Sequence, residues 1–197
     1  MKLKTYKEKY SKKVLKKKPK EKKLLDWNWV ITITSLSFII SFIFSGVSEA
    51  LIPNINLIFA ILLVLLVVII GVIFDVIGIA TTAADIKTFN SMATKKVRGS
   101  ELAVNFIKQA DRVSSFCNDV IGDICGIISG SGGAAISLII AHKYNLSVFG
   151  VTLIMTAVLA SITIGGKAMG KSYAVNKSNL ILYNFASFLS IFYKSKK

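Results

Sequence analysis

The chain is poor in the residues from which soluble active sites are built. It has 10 acidic residues against 25 Lys and Arg, one histidine, two cysteines and two prolines. The chain therefore offers few of the His and Cys ligands that a Zn²⁺ site would normally recruit. Only 18% of its 197 residues are charged, against about 25% in soluble domains. A soluble enzyme is therefore excluded, and no catalytic group is predicted within the membrane either.

Long apolar runs take the place of the missing charge. Four segments contain no Asp, Glu, Lys or Arg, namely residues 27–48, 50–74, 124–142 and 144–166. A helix needs about 20 mostly apolar residues to cross a bilayer. The sequence therefore predicts an all-α integral membrane protein with transmembrane helices at about 28–46, 56–80, 118–141 and 146–165.

Basic residues alternate with these spans. Residues 1–23 hold 12 lysines against two glutamates, the loop 47–55 has no Lys or Arg, and 86–114 is basic. The positive-inside rule then predicts a multi-pass protein of the cell membrane with cytoplasmic N- and C-termini. The basic arm 1–26 is expected to be disordered and to contact anionic lipid. RNA binding by the arm is the alternative, and we expect no nucleic acid.

The ends of the first span allow a second interpretation. A basic region and an apolar stretch precede Ser48-Glu49-Ala50, which is also the order of a cleavable signal peptide. Cleavage would leave three spans with the same topology.

Three amphipathic helices are predicted outside the spans. Two of them lie within 86–114 as juxtamembrane helices, with a break at Arg98-Gly99-Ser100 and Ser100 as the N-cap of the second. The third covers 176–194, and its apolar face suits the membrane interface better than a crossing.

Acidic residues inside the spans are the strongest functional signal. A carboxylate at mid-bilayer costs about 2.5–3.5 kcal/mol on insertion scales and marks a functional site by default. Asp75 lies in the second span, and one face of the third collects further polar residues. Carboxylate, amide and hydroxyl oxygens suit Mg²⁺. The predicted metal ligands are Asp75, Ser115, Asn118, Asp119 and Asp123.

Structural explanations remain open for the same residues. Asp119 fits a helix N-cap, and Asp75 fits an ion pair with a lysine. Glycines spaced by four let membrane helices approach closely, so a helix-packing ridge is predicted at Gly122, Gly126 and Gly130.

Other patterns point to no chemistry. Residues 165–172 match the phosphate-loop pattern GxxxxGK[ST], but a span precedes them and the chain has no room for a nucleotide-binding domain. No nucleotide is expected. Cys117 and Cys125 are predicted to be reduced packing thiols, and His142 lies in a short turn without partners.

Residues from about 72 to 193 resemble the membrane domain of the CorB/CorC/CNNM magnesium and cobalt transporter family. The segment 86–100 is similar to the helix that follows the family's first span. Asp111-Arg112-Val113-Ser114-Ser115 with Ile121-Gly122-Asp123 resembles its "DRFLST…IGN" stretch, and residues 166–174 resemble "GEILPKSLA".

The resemblance implies a divalent cation (Mg²⁺ or Co²⁺) transporter-like or cation-binding protein, and a homodimer. The chain departs from the family's pattern where Lys167 replaces a Glu, and the segment 74–78 lacks the family's Ser-and-Glu motif. The family's regulatory domains are not found in residues 1–197. Lys167 would repel a cation or substitute for it. The alternative is a transport-inactive membrane scaffold or a regulatory subunit of another membrane protein.

Overall fold

The computed structural model of the chain describes residues 27–52 and 55–192. The predicted basic arm 1–26 and the last two residues of the predicted amphipathic helix 176–194 lie outside these ranges. Within them the secondary structure is α-helical, with one π-helical turn and no strand. The prediction of an all-α protein with four long apolar helices is confirmed.

Eight α-helices follow one another along the described chain. Their bounds are α1 (Trp27–Leu51), α2 (Leu57–Ala83), α3 (Ile86–Thr94), α4 (Ser100–Lys108), α5 (Ala110–Ser115), α6 (Gly122–Tyr144), α7 (Val148–Asn176) and α8 (Ser178–Phe192). A π segment (Phe116–Ile121) joins α5 to α6 without a break. Four helical stretches of the described residues are long and apolar enough to cross a membrane, at Trp27–Val47, Leu57–Ala83, Ala110–Tyr144 and Val148–Asn176. This is a multi-pass membrane protein.

The chain divides into two units at residue 35, within α1. The described part of the first unit, residues 27–35, consists of the opening turns of α1. The second unit, residues 36–197, contains the rest of α1 and all the other helices. Large apolar side chains such as Phe42, Phe59 and Phe149 are mostly exposed there, as lipid-facing side chains are.

α2, α6 and α7 pack together as a three-helix bundle. α2 begins where the Asn56 side chain accepts a hydrogen bond from the Ile58 amide at 3.0 Å. The core of the bundle lies at the end where α2 begins. It consists of Ile52, Ala60, Val64, Ile136 and Leu159. Since Gly133 has no side chain, Leu159 of α7 can press against the α6 backbone.

α3, α4 and α8 form a second layer at the other end of α2, which we call the short-helix module. Its core is Phe89, Ala103, Val104, Leu182 and Ala186. α8 is attached to the end of α2 by two hydrogen bonds: the Ser178 hydroxyl donates to the Ala83 carbonyl at 3.2 Å, and the Asp85 amide donates to Asn179 Oδ1 at 2.9 Å.

The predicted break between the juxtamembrane helices is present, but the predicted cap is wrong. Gly99 precedes α4 with φ +79°, and Ser100 is the first helical residue. The Ser100 hydroxyl donates to the Val97 carbonyl instead of capping α4. Gly99 is required here for a second reason, because a Cβ would lie 2.8 Å from the backbone of Ser187 in α8.

Candidate functional site

An ion pair lies where the three bundle helices meet. The Lys167 Nζ atom is 3.9 Å from the Asp75 Oδ1 atom, and their side chains are 32% and 14% exposed. This is the lysine partner that the sequence left open as an alternative for Asp75. A charge-assisted hydrogen bond between such groups is about 2.7–2.9 Å long. The ammonium therefore neutralises the carboxylate without donating a short hydrogen bond to it.

Close contact between α2 and α7 brings the two residues of this pair together. A Cβ on Gly166 would lie 3.1 Å from Val72, and one on Gly170 would lie 2.6 Å from Val76. Lys167 follows the first glycine, so its side chain reaches α2 at Asp75. Asp75 lies eight residues before the end of α2, about 12 Å along the axis at 1.5 Å per residue.

α6 approaches the pair through glycine and cysteine. A Cβ on Gly122 would lie 3.5 Å from Lys167 Nζ, and a Cβ on Gly71 would lie 2.9 Å from that of Cys125. Cys117 and Cys125 are both free and buried, as predicted for packing thiols. The absence of side chains at Gly71 and Gly122 thus lets three helices converge on one ion pair.

Asn118 in the π segment lies one helical turn of α2 away from Asp75, against Gly78. Any Cβ on Gly78 would collide with Asn118 Oδ1. The Asn118 Nδ2 group donates to Ser114 Oγ at 3.3 Å. Its Oδ1 atom is buried and accepts no hydrogen bond from the described residues. A buried acceptor without a donor costs about 1–3 kcal/mol, and a cation or donor that reached this oxygen would offset that cost.

The predicted metal ligands do not all come together. Asn118 lies against Gly78 of α2 and Gly122 faces Lys167 of α7, whereas Asp119 and Asp123, each one residue later, are exposed. Successive residues of a helix differ by about 100° around the axis, which accounts for the difference. Within the described residues, no three His, Cys, Asp or Glu side chains form a group that would hold a metal ion. Ser115 is half-buried, and metal binding by the predicted set stays a prediction.

The predicted glycine ridge is used only in part within the protomer. Gly122 is buried between the bundle helices, whereas Gly126 and Gly130 are exposed, with open space where a Cβ would be. Two carboxylates and two glycines, Asp119, Asp123, Gly126 and Gly130, therefore lie on the exposed face of the third span, beside the exposed side chains of Phe116 and Ile127.

The segment that matches a phosphate loop is helical. Residues 165–172 lie inside α7, where the backbone amides are engaged in the helix and do not form the turn that cradles a phosphate. His142 lies in the last turn of α6 and is exposed.

Sequence reasoning missed two contributors to the site. They are Gly78 of α2 and Ser114, the hydrogen-bond partner of Asn118. The signal for Gly78 was its place one turn after Asp75, whereas the contact with Asn118 depends on how α2 meets the π segment.

Comparisons of this chain with protein-family models, with curated proteins and with solved structures give no match. The resemblance to the CorB/CorC/CNNM family therefore stays a prediction.

Proposed function

We propose that this membrane protein is a cation-binding, transporter-like protein in which Asp75 holds the cation and Lys167 is a built-in competitor for it. The observation that carries the proposal is the loose ion pair, with 3.9 Å between Lys167 Nζ and Asp75 Oδ1. An intramembrane carboxylate needs a positive partner. Here a tethered ammonium fills that role, and the proposal requires that it move away when the cation binds.

Asn118 supports the same proposal. Its buried Oδ1 atom has no donor among the described residues, one helical turn from Asp75. Oxygen atoms of carboxylate and amide groups are the ligands of hard cations such as Mg²⁺. A cation that displaces Lys167 would find these two oxygen-bearing groups along the same side of α2.

The proposal is tested by cation flux into liposomes, with Mg²⁺, Co²⁺, Na⁺ and methylammonium measured separately. The proteins compared are the wild type, Asp75→Asn, Lys167→Met and Asp111→Asn, an exposed carboxylate outside the predicted set that serves as the control. We expect flux from the wild type and from Asp111→Asn, none from Asp75→Asn, and a changed rate from Lys167→Met. Equal flux from the wild type, Asp75→Asn and empty vesicles, for every cation, would eliminate the proposal.

The Asp119→Asn/Asp123→Asn double variant tests the remaining predicted ligands in the same assay. Both carboxylates are exposed, away from Asp75. We therefore expect the double variant to keep its flux, and a complete loss would return these residues to the site.

A second candidate function is a transport-inactive scaffold or regulatory subunit. The ammonium group of Lys167 favours this candidate, because an Asp75 carboxylate that Lys167 already neutralises needs no free cation. This candidate predicts no flux from any variant, together with a loss of stability when either partner of the pair is removed.

The proposal includes topology and assembly. Lys87, Lys95, Lys96 and Arg98 lie in the short-helix module and its turn, so the positive-inside rule supports a cytoplasmic position for that end and for both termini. The Lys-rich residues 1–23 suit the anionic lipids of the cell membrane. A homodimer is proposed through the exposed face of α6, because Gly126 and Gly130 leave space for another helix there.

A further inference from the structure

The charge of the site limits which cation it can hold. Asp75 contributes one negative charge and Lys167 one positive charge, so the pair is neutral. Asp119 and Asp123 are exposed and add no charge to the interior of the bundle. A cation that takes the place of Lys167 restores neutrality only if it carries a single charge. A divalent ion would leave one positive charge uncompensated where solvation is poor.

The number of oxygen ligands points the same way. Mg²⁺ requires octahedral oxygen geometry and releases its water reluctantly. Asn118 Oδ1 is the buried side-chain oxygen that has no hydrogen-bond partner in the described part of the chain, and no cluster of three acidic, His or Cys side chains forms there. A primary ammonium is satisfied by three acceptors and is already the group that Lys167 presents.

We infer that the site at Asp75 is specific for a small, singly charged cation of the primary-ammonium type, in preference to Mg²⁺ or Co²⁺. The inference rests on the proposed function, and it names the class of cation. Lys167 is then a tethered copy of the ligand. Truncation of its side chain should create a vacant site that free alkylammonium fills.

Chemical rescue of Lys167→Ala tests this inference directly. The purified full chain is placed in nanodiscs of uncharged lipid, and its thermal unfolding midpoint is measured with methylammonium, ethylammonium, Na⁺ or Mg²⁺ at matched ionic strength. We expect saturable stabilisation by the two alkylammonium ions, at concentrations about ten-fold lower than any effect of Mg²⁺. Tetramethylammonium, which has no N–H donors, should give no saturable effect.

Two variants provide matched controls. Lys171→Ala truncates an exposed lysine one turn further along α7, which has no carboxylate partner among the described residues, and its midpoint should not respond to alkylammonium. Lys167→Ala/Asp75→Asn removes the charge that recruits the cation, and the rescue should disappear. If Lys167→Ala does not fold, Lys167→Gln replaces it, and Na⁺ is compared with Mg²⁺.

The outcomes separate this inference from the proposed function. If Mg²⁺ stabilises Lys167→Ala as well as methylammonium does, the specificity is overturned, while cation binding at Asp75 stands. If no cation stabilises the variant, the inference is overturned. The proposed function falls with it only when the wild type also gives no flux.

Discussion

Gly78 of α2 lies directly against the side-chain amide of Asn118, so that a methyl group on Gly78 would collide with Asn118 Oδ1. The contact joins α2 to the π segment one helical turn after Asp75 of the ion pair. It also keeps water away from an acceptor that has no donor within the described residues.

Gly78→Ala should therefore destabilise the protein. Overpacking of a close helix contact costs about 1–3 kcal/mol, which is read from the thermal unfolding midpoint in detergent or nanodiscs. Gly126→Ala is the matched control, because open space surrounds Gly126, and alanine favours the helix there by about 0.5–1 kcal/mol. Adding Asn118→Ala to Gly78→Ala should recover most of the loss, and no recovery would argue against this contact.

Removal of either partner of the ion pair should also lower stability. Breaking a fully buried pair costs about 3–5 kcal/mol. Since Lys167 is 32% exposed, we expect a smaller loss of about 1–3 kcal/mol for Asp75→Asn or Lys167→Met. The double variant should lose less than the sum of the two. Losses that add to within about 0.5 kcal/mol would show that the two residues are not coupled.

Asp85 gives the short-helix module a dependence on pH. The Lys87 amide donates to its Oδ1 atom at 3.0 Å and the Thr88 hydroxyl to its Oδ2 atom at 2.9 Å. These bonds hold the pKa of Asp85 below its ordinary value of 3.8. Because the folded-state pKa is depressed, the stabilisation is present above pH 3.8 and is lost as the pH falls through the lower, folded-state value.

Hydrogen exchange of the first α3 amides measures this effect, after correction for intrinsic rates. The wild type should lose protection below pH 3.8. Asp85→Asn keeps a capping oxygen but does not titrate, so its protection should not change with pH. Asp85→Ala should be poorly protected at every pH. If Asp85→Asn responds to acid as the wild type does, another group is responsible.

The exposed face of α6 is tested by its effect on oligomeric state. Gly126→Leu/Gly130→Leu fills the space that a partner helix would use, and we expect the proposed dimer to dissociate, as measured by the mass of the protein in nanodiscs or detergent. Gly165→Leu is the control, since Gly165 on α7 is equally open. A monomeric wild type, or a dimer that survives the double substitution, would contradict the proposed interface.

Hydropathy was sufficient to predict the helices but not their ends. The second span, predicted at 56–80, is observed at Leu57–Ala83. The prediction is close because a long apolar run and an Asn cap are local features of the sequence. The fourth, predicted to end at 165, continues to Asn176. The sequence predicts that this helix leaves the membrane near Lys167, because a charged side chain is normally placed outside the hydrocarbon core. Asp75 supplies the missing partner, and that contact is tertiary.

The site was predictable in composition but not in rotation. Asn118, Asp119, Gly122 and Asp123 lie on one broad polar face, and the sequence does not say which edge of that face meets α2. The structure turns Asn118 and Gly122 inward and leaves both carboxylates exposed. If the third span were rotated about its axis by the angle of one residue, a carboxylate cluster would replace the single ion pair. The observed rotation depends on the contact between Asn118 and Gly78.

The π segment also says something about how the length of this chain can vary. A π-helical turn holds one residue more than an α-helical turn, and it confines that extra residue to a single wide loop of backbone. A version of the chain shortened by one position between 116 and 121 would close this turn into ordinary α-helix. The helices on either side would keep their present orientation towards α2, so we expect the protein to tolerate a change of length at this turn of a membrane-spanning helix.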